Sequence, residues 1–435
     1  MRMANERRCI GFCRNGGTIL IVTIWVVLVL AGLALVFARS MRVAAIVSAN
    51  QVASIETEWI ASGACQYIIS QLTAHAADPT RLREDASWEA LQVGNGYFWV
   101  LRSNPENGRD SDYGLTDEAG KINLNSASLE MLLKLPGMTS ELAASIIDWR
   151  DEDGDVTTGG AEDEYYLLLP EPYNCKNAPF ETVEEILLVK GASEELLYGE
   201  DTSASGRLEG GFYNYITVYS VEANTDSEGN ERINVNDASA RATLQSALQE
   251  VVKEDRALEI MNNVPISPSY TSIMDFYFWA RLTIEEFEQI ADRLTVSNEE
   301  TLSGLVNVNT APKEVLLCLP ELEEADVDAL LSYRRSSNDL DSVAWVARVL
   351  DQDKVRAIGS YITVRSFQYS ADIICLSGNG RAYKRYRAVF DTQGGQQPQV
   401  VYWKSLTRFG WPLEEDIVAT LRKGRPITEA MIGMR

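Results

Sequence analysis

The sequence predicts an α+β fold: a long amino-terminal helix against a sheet drawn from both ends of the chain, with a large helical domain inserted between the two halves. Three observations carry this. An uncharged run from Thr18 to Ala38 leads into an Ala-, Val-, Ile- and Gln-rich helical stretch, Arg42–Ala74. Segments rich in aromatic and β-branched residues, near 97–102 and 361–390, flank the middle of the chain. Between them an Asn-x-Asn motif recurs ahead of helical hydrophobic patterns. At 435 residues the chain exceeds the roughly 100–200 of one domain, so two or three cores are expected.

The first element is the membrane segment. Arg2, Arg7, Arg8 and Arg14 precede Gly16-Gly17, and Arg39 and Arg42 close the uncharged run. The 21 residues from Thr18 to Ala38, at about 1.5 Å each, span a hydrocarbon core of about 30 Å. The arginines hold the amino terminus in the cytosol, so everything after residue 42 lies outside. A secretory signal has a shorter apolar core followed by small residues; here the small residues come first. That order resembles the type IV prepilin and pseudopilin leader, cut after Gly17 to leave Thr18 as the new terminus. A plain single-pass anchor with an incidental Gly-Gly is the alternative. Beyond the membrane Ile60, Tyr67 and Ile68 keep one helix face apolar, which suits a spine laid on a domain.

Strands are expected at Tyr97–Arg102, Phe212–Val221, Tyr361–Ser366, Ala371–Leu376 and Tyr383–Phe390, with a loop at Asn104–Asp112 and a turn at Gly378-Asn379-Gly380. The implied organisation is a leader (1–17), a membrane and spine helix (18–74), a first sheet segment (75–120), a helical insertion (121–354) with an internal strand near 212–221, a second sheet segment (355–405) and a tail (406–435).

The insertion contains a repeat. Asn123-Leu-Asn125-Ser126-Ala127 recurs as Asn307-Val-Asn309-Thr310-Ala311, and the match runs without a gap to Arg150 and Arg334. In the first copy Leu129, Leu132 and Leu133 form one apolar face, Leu135-Pro136-Gly137-Met138 turns the chain, and Leu142, Ile146 and Trp149 form a second: a helix-hairpin-helix pattern. The second copy keeps the packing positions but puts Glu321 where the turn has Gly137, so its turn is expected to be lost. A third, partial copy, Asn234-Val-Asn236-Asp237-Ala238-Ser239, leads into a helix at Arg241–Val252.

Charge narrows the function classes. The net charge is -24, and the leader carries four Arg against one Glu, so the segment after Gly17 stands near -27. Such a field repels phosphates and favours cations or basic partner faces. The single histidine, His75, lies in a helical run without partners, which speaks against a His-based metal site or a Ser-His-Asp triad. With no Walker-type loop either, no enzyme is indicated. Cys9 and Cys13 leave with the leader. Cys65, Cys175, Cys318 and Cys375 face an oxidising compartment, but their irregular spacing assigns no pairing, and Cys318 in an apolar run reads as a buried thiol.

Helix-hairpin-helix units often grip DNA phosphates through backbone N–H groups, so a membrane-tethered DNA-binding module of an uptake or type IV pilus system is the alternative function. Around the second turn, however, lie Glu321, Glu323, Glu324, Asp326 and Asp328, and after the first come Asp148, Asp151, Asp153 and Asp155. Phosphate binding draws on Lys and Arg. The acidic loop instead suits Ca²⁺, a hard cation taking six to eight oxygens. With Asp151 as position one, Asp153, Asp155 and Glu162 fall at positions three, five and twelve of an EF-hand, but Val156 occupies the position that wants Gly. A solvated acidic loop is the alternative reading.

The strings Asp117-Glu-Ala-Gly-Lys-Ile-Asn-Leu-Asn125, Ile147-Asp-Trp-Arg-Asp151 and Gly160-Ala-Glu-Asp-Glu-Tyr-Tyr166 closely resemble the type II secretion minor pseudopilin family called general secretion pathway protein K, and Val401-Tyr402-Trp403 resembles that family's last strand. The resemblance, over roughly residues 10–405, implies a pilin-like fold with a spine helix on an antiparallel sheet. It also implies processing and methylation at the prepilin site by prepilin peptidase, an inner-membrane anchor with the body in the periplasm, and a place with other minor pseudopilins at the pseudopilus tip. Calcium binding is implied at Asp151, Asp153, Asp155, Glu162 and Asp163. Most pilin-like helices carry Glu at the fifth mature position; here it is Val22, which suits a subunit with no partner in front of it, because an unpaired carboxylate in lipid is costly. The tail Lys404–Arg435 departs from the family pattern.

Overall fold

A computed structural model describes residues 16–75, 87–104, 109–200, 209–266, 268–393 and 397–427. Most of the expected leader, residues 1–15, and the end of the tail, 428–435, lie outside the described residues.

One helix, Gly16–His75, runs from an exposed apolar segment into the domain. It is long and apolar enough to cross a membrane, and no residue from Ile19 to Val52 is buried. Ala53 is the first side chain to enter a core; Ile60, Ala61, Ala64, Ile68, Ile69 and Leu72 follow at helical spacing. A chain beginning at residue 43 therefore keeps every buried residue among those described.

The spine lies on a seven-stranded antiparallel sheet: β1 (Leu91–Val93), β2 (Gly96–Asn104), β3 (Arg109–Tyr113), β4 (Thr116–Asp117), β5 (Gln368–Leu376), β6 (Tyr383–Asp391) and β7 (Gln399–Ser405). The order is β1-β2-β5-β6-β7, with β3 on β2 and β4 on β5. The sheet is indeed assembled from both ends of the chain, with β2 and β5 paired from Tyr97↔Leu376 to Leu101↔Asp372. Residues 109–113, expected in a loop, pair with β2 instead.

Side chains alternate across the sheet. Phe98, Val100, Ile373 and Cys375 meet the spine; Trp99, Leu101, Ile374 and Leu376 point the other way. The tail covers that second face. Its helix, Glu415–Arg422, lays Ile417 and Leu421 with Leu413 on these four residues. Trp411 packs edge-on against Trp99 and Tyr383, at centroid distances of 6.1 and 5.4 Å. The Arg422 Nε donates to the Gly380 carbonyl at 3.0 Å, in the hairpin that the Gly-Asn-Gly turn predicts.

The insertion is helical, and three small parallel strand pairs organise it. Ile122–Asn123 pairs with Ile216–Thr217, Ile233–Asn234 with Leu294–Thr295, and Val306–Asn307 with Ile362–Thr363. In each unit the first Asn Oδ1 accepts the backbone N–H of the second (Asn125, Asn236, Asn309) at 2.8–2.9 Å. The second Asn reaches across the unit, its Nδ2 donating to the carbonyl of Phe180, Tyr270 or Leu340. The partial third copy is thus a complete structural unit. Two strand expectations are corrected: 212–221 breaks into a 3-10 turn, Phe212–Tyr215, and two short strands, and 361–366 contributes only two paired residues. Ile216–Thr217 and Ile362–Thr363 pair parallel within units, and Val221–Ala223 pairs antiparallel with Thr301–Ser303, all outside the main sheet.

Units one and three face each other through reciprocal contacts. Gly120 packs against Thr310, and its equivalent Gly304 against Ser126, the equivalent of Thr310. A Cβ on Gly304 would fall 1.6 Å from the Ser126 Oγ, so glycine is required there. Arg150 clasps the carbonyls of Leu124 and Ala127; Arg334 does the same to Val308 and Ala311. The expectation that Glu321 abolishes the second turn is wrong. Glu321 adopts φ +57° where Gly137 has +74°, and the turn survives with a strained residue. The described residues Cys65, Cys175, Cys318 and Cys375 are all free thiols.

Candidate cation site in the acidic loop

The helix Ser140–Arg150 is capped by the Thr139 hydroxyl and buries Leu142, Ala143, Ile146 and Trp149. Asp148 lies on that inner face and is fully buried. Its Oδ1 accepts the Thr157 N–H at 3.0 Å, so the loop folds back over it, while its Oδ2 has no donor. Gly160 makes this approach feasible: a Cβ there would stand 2.0 Å from the Asp148 Oδ2.

Two more carboxyls gather at the same place. Asp151 has a buried Oδ1 without a partner, and Glu162, only 4% exposed, has both oxygens buried and unpartnered. Burial pushes the Glu162 carboxyl above its ordinary range, and the nearby charges of Asp148 and Asp151 push it further. Asp151 is raised by burial and by Asp153 and Asp148. Four buried acceptor oxygens with like-charge neighbours and no donor form a costly arrangement.

The remaining expected ligands are placed differently. Asp153 and Asp155 are exposed, and the Asp153 Oδ1 is engaged by the Asp155 N–H at 2.9 Å. The Asp163 Oδ1 accepts the Cys175 N–H at 2.7 Å. The Asn177 Nδ2 donates to the Asp153 carbonyl at 2.9 Å, and its Oδ1 is another buried acceptor without a donor. Asp151 and Glu162 of the expected set thus come together with Asp148. The sequence reading missed Asp148 as a ligand because it sits in an apolar helical run; a carboxylate between Ile147 and Trp149, on the face that Ile146 and Trp149 bury, was the available signal. Among the described residues no three His, Cys, Asp or Glu side chains form a ready-made metal cluster. The donor chemistry fits a hard cation nonetheless, since these are anionic oxygens that only a cation or a donor can satisfy.

The lysines beside the hairpin turns are engaged within the protein. Lys134, the cation flanking the first turn, donates to the Leu319 carbonyl of unit three at 2.9 Å, and Lys354 is held by Asp326 beside the second.

Residues 114–198 match the family model described as type II secretion system (T2SS), protein K. No match was found among curated proteins. Among solved structures the chain is similar to one in the crystal structure of the GspK-GspI-GspJ complex from the type 2 secretion system of enterotoxigenic Escherichia coli, with 12% identity, a TM-score of 0.42, and coverage of 80% of this chain and 95% of that one. The matched segment runs from the end of β3 through the first hairpin and the acidic loop, so the part of the chain that holds the orphaned carboxylates carries the signature of type II secretion system protein K, the family its strings resemble.

Proposed function

We propose that the protein is a minor pseudopilin of the type II secretion system: anchored in the inner membrane by its spine helix, processed between Gly17 and Thr18 by prepilin peptidase, and capping the periplasmic pseudopilus with other minor pseudopilins in support of protein export. The observation that carries the proposal is the spine. Its inner face from Ala53 to Leu72 is spent on the sheet, while Val43, Ile46, Val47, Val52, Ile55 and Trp59 remain exposed beyond the membrane segment. Val52, Ile55 and Trp59 fall on the side of the helix away from the sheet, and exposed apolar side chains there suit side-by-side packing with other spine helices. Val22 and the bulk of the three-unit insertion support an end position, because such bulk would clash if repeated along a thin filament. In this reading the protein is a structural subunit rather than an enzyme.

Calcium fits the same proposal as a stabiliser of the first unit. Asp148, Asp151 and Glu162 would hold the ion, with Asn177 Oδ1 as a neutral donor. The ion would neutralise carboxylates that otherwise repel one another.

Co-expression of the segment from residue 43 with candidate minor pseudopilin domains, read by light scattering, tests the assembly. A stoichiometric complex is expected, and self-assembly into a homopolymer would overturn the end position. Mass spectrometry of protein from the native membrane should find Thr18 at the amino terminus. Salt-sensitive micromolar binding to duplex DNA in a gel shift would favour the DNA-uptake reading instead.

A further inference from the structure

The spine packs on β2, β5 and β6, and no side chain of β7 belongs to the core beneath it. β7 nonetheless turns apolar residues to the same side. Ala388 and Phe390 lie in the spine's core, and their cross-strand partners Trp403 and Val400 share that face. Trp403 is 40% exposed and rests on Tyr386 at a centroid distance of 5.0 Å; Val400 and the bulged Val401 are 39% and 50% exposed. The other face of β7 is occupied, because Tyr402 and Lys404 are both held by Glu184 at 3.0 Å.

The spine and β7 thus bound a trough, with β6 and β7 as its floor. Glu58, which reaches Lys384 on β6, marks the spine side of it, and Ile55, Ser62 and Cys65 share that side by helical spacing. Between Arg42 and His75 the spine carries two charged residues, Glu56 and Glu58, and each is engaged, by the Gly378 N–H and by Lys384. On a chain of net charge -24 this face is free of unpaired charge.

The spacing suits a helix. Strands stand about 4.8 Å apart, so β7 lies about 10 Å from β5, over which the spine is centred. Packed helices keep about 8–10 Å between their axes, so a helix laid beside the spine would sit over β7 and cover Val400 and Trp403. An added strand is disfavoured, because the bulge at Val401 interrupts the ladder at that edge. Resting on the minor-pseudopilin reading above, we propose that this trough seats the apolar spine helix of another pilin-like subunit, parallel to this spine because both rise from one membrane.

The test uses the full chain in its native membrane, with Trp403→p-benzoylphenylalanine as a photo-cross-linker. A cross-link is expected to the amino-terminal helix of another subunit with a prepilin-type leader, mapped by mass spectrometry of the joined peptides. Ser62→Trp fills the trough from an exposed position on the spine, and should cut co-purification of that subunit with the detergent-extracted chain by about tenfold. Leu258→Glu, exposed on unit two, should leave co-purification unchanged. The trough is overturned, with the pseudopilin reading left standing, if such a subunit co-purifies but gives no cross-link from position 403, is joined through its globular part, or is held equally by Ser62→Trp. A cross-link to a second copy of this chain also overturns it. If no subunit with a prepilin-type leader co-purifies at all, the reading and the trough fail together.

Discussion

Units one and three of the insertion share a backbone plan and differ in what their loops do with charge. Both begin with Asn-x-Asn on a parallel strand pair, turn through a left-handed residue, and end with an arginine clasping the carbonyls where the unit began. Around the clasp they diverge. In unit one the chain passes into a loop that buries carboxylate oxygens of Asp148, Asp151 and Glu162 without donors. In unit three Ser332 replaces Asp148, and the carboxylate of Asp326 is paired with Lys354 at 2.7 Å. The same scaffold thus carries one unit whose carboxylate is paired with a cation and one whose buried carboxylate oxygens lack donors.

The largest expected effect tests the shared plan. Arg150→Ala and Arg334→Ala each strip the donor from two backbone carbonyls, and each should cost about 2–4 kcal/mol in chemical denaturation of the segment from residue 43. A loss in one unit without a comparable loss in the other would break the equivalence.

The next prediction concerns the divergence. In chelator, Asp148→Asn with Glu162→Gln should melt higher than the unaltered segment, because it removes repulsion among buried carboxyls. In Ca²⁺ at about a hundred times the dissociation constant, the unaltered segment should gain about 2.7 kcal/mol that the variant lacks. Asp339→Asn with Asp341→Asn, in unit three, should leave the calcium response unchanged.

Two neighbouring carboxylates serve the two units and should titrate in opposite senses. Asp117 accepts from Asn307, Thr310 and Ser366 on the unit-three side. Burial outweighs those bonds and pushes it up to about 6. Its folded value lies above the unfolded one, so its contribution to stability falls as pH rises from about 4 to 6, by the order of 1–3 kcal/mol. Glu118 accepts from Thr217 of unit one. Burial raises it, but Lys121 and Arg387 outweigh burial and hold it below its usual range, so its contribution is present above that range and is lost on acidification. Relative to Asp117→Asn, the unaltered protein should lose stability as pH rises; relative to Glu118→Gln, it should lose stability as pH falls. Thermal melts across pH 3–7 read both slopes.

The smallest effect lies at the turns. Gly137→Ala, with open space around the added methyl, should cost about 1 kcal/mol through backbone strain alone, and Glu321→Gly should gain a few tenths to about 1 kcal/mol.

Much of this architecture was legible in the sequence, and the illegible parts share a cause. The spine, β2, β5, β6 and the hairpin turn announce themselves through periodicity and turn chemistry. The second unit shows only its Asn-x-Asn, because its turn lacks Leu-Pro and its closing strand is remote. The closing strands do carry a signal: Ile216-Thr-Val, Leu294-Thr-Val and Ile362-Thr-Val are one triplet repeated. Two-residue parallel strands have no period to read, and Asn123, Asn234 and Asn307 find their partners Thr217, Thr295 and Thr363 only in three dimensions. The tail's role depended on knowing that Trp99, Leu101, Ile374 and Leu376 would otherwise be bare. In the acidic loop the carboxylate density was visible, but which oxygens lacked donors was not, so the expected ligands Asp153, Asp155 and Asp163 follow sequence density whereas the orphaned oxygens follow burial.

The most direct test is calorimetric titration of Ca²⁺ into the chelator-treated segment from residue 43. Saturable binding is expected, lost in Asp148→Asn and retained in Asp155→Asn. Absence of binding by the unaltered segment, or binding unaffected by Asp148→Asn, would contradict a cation site built on the buried carboxylates of unit one.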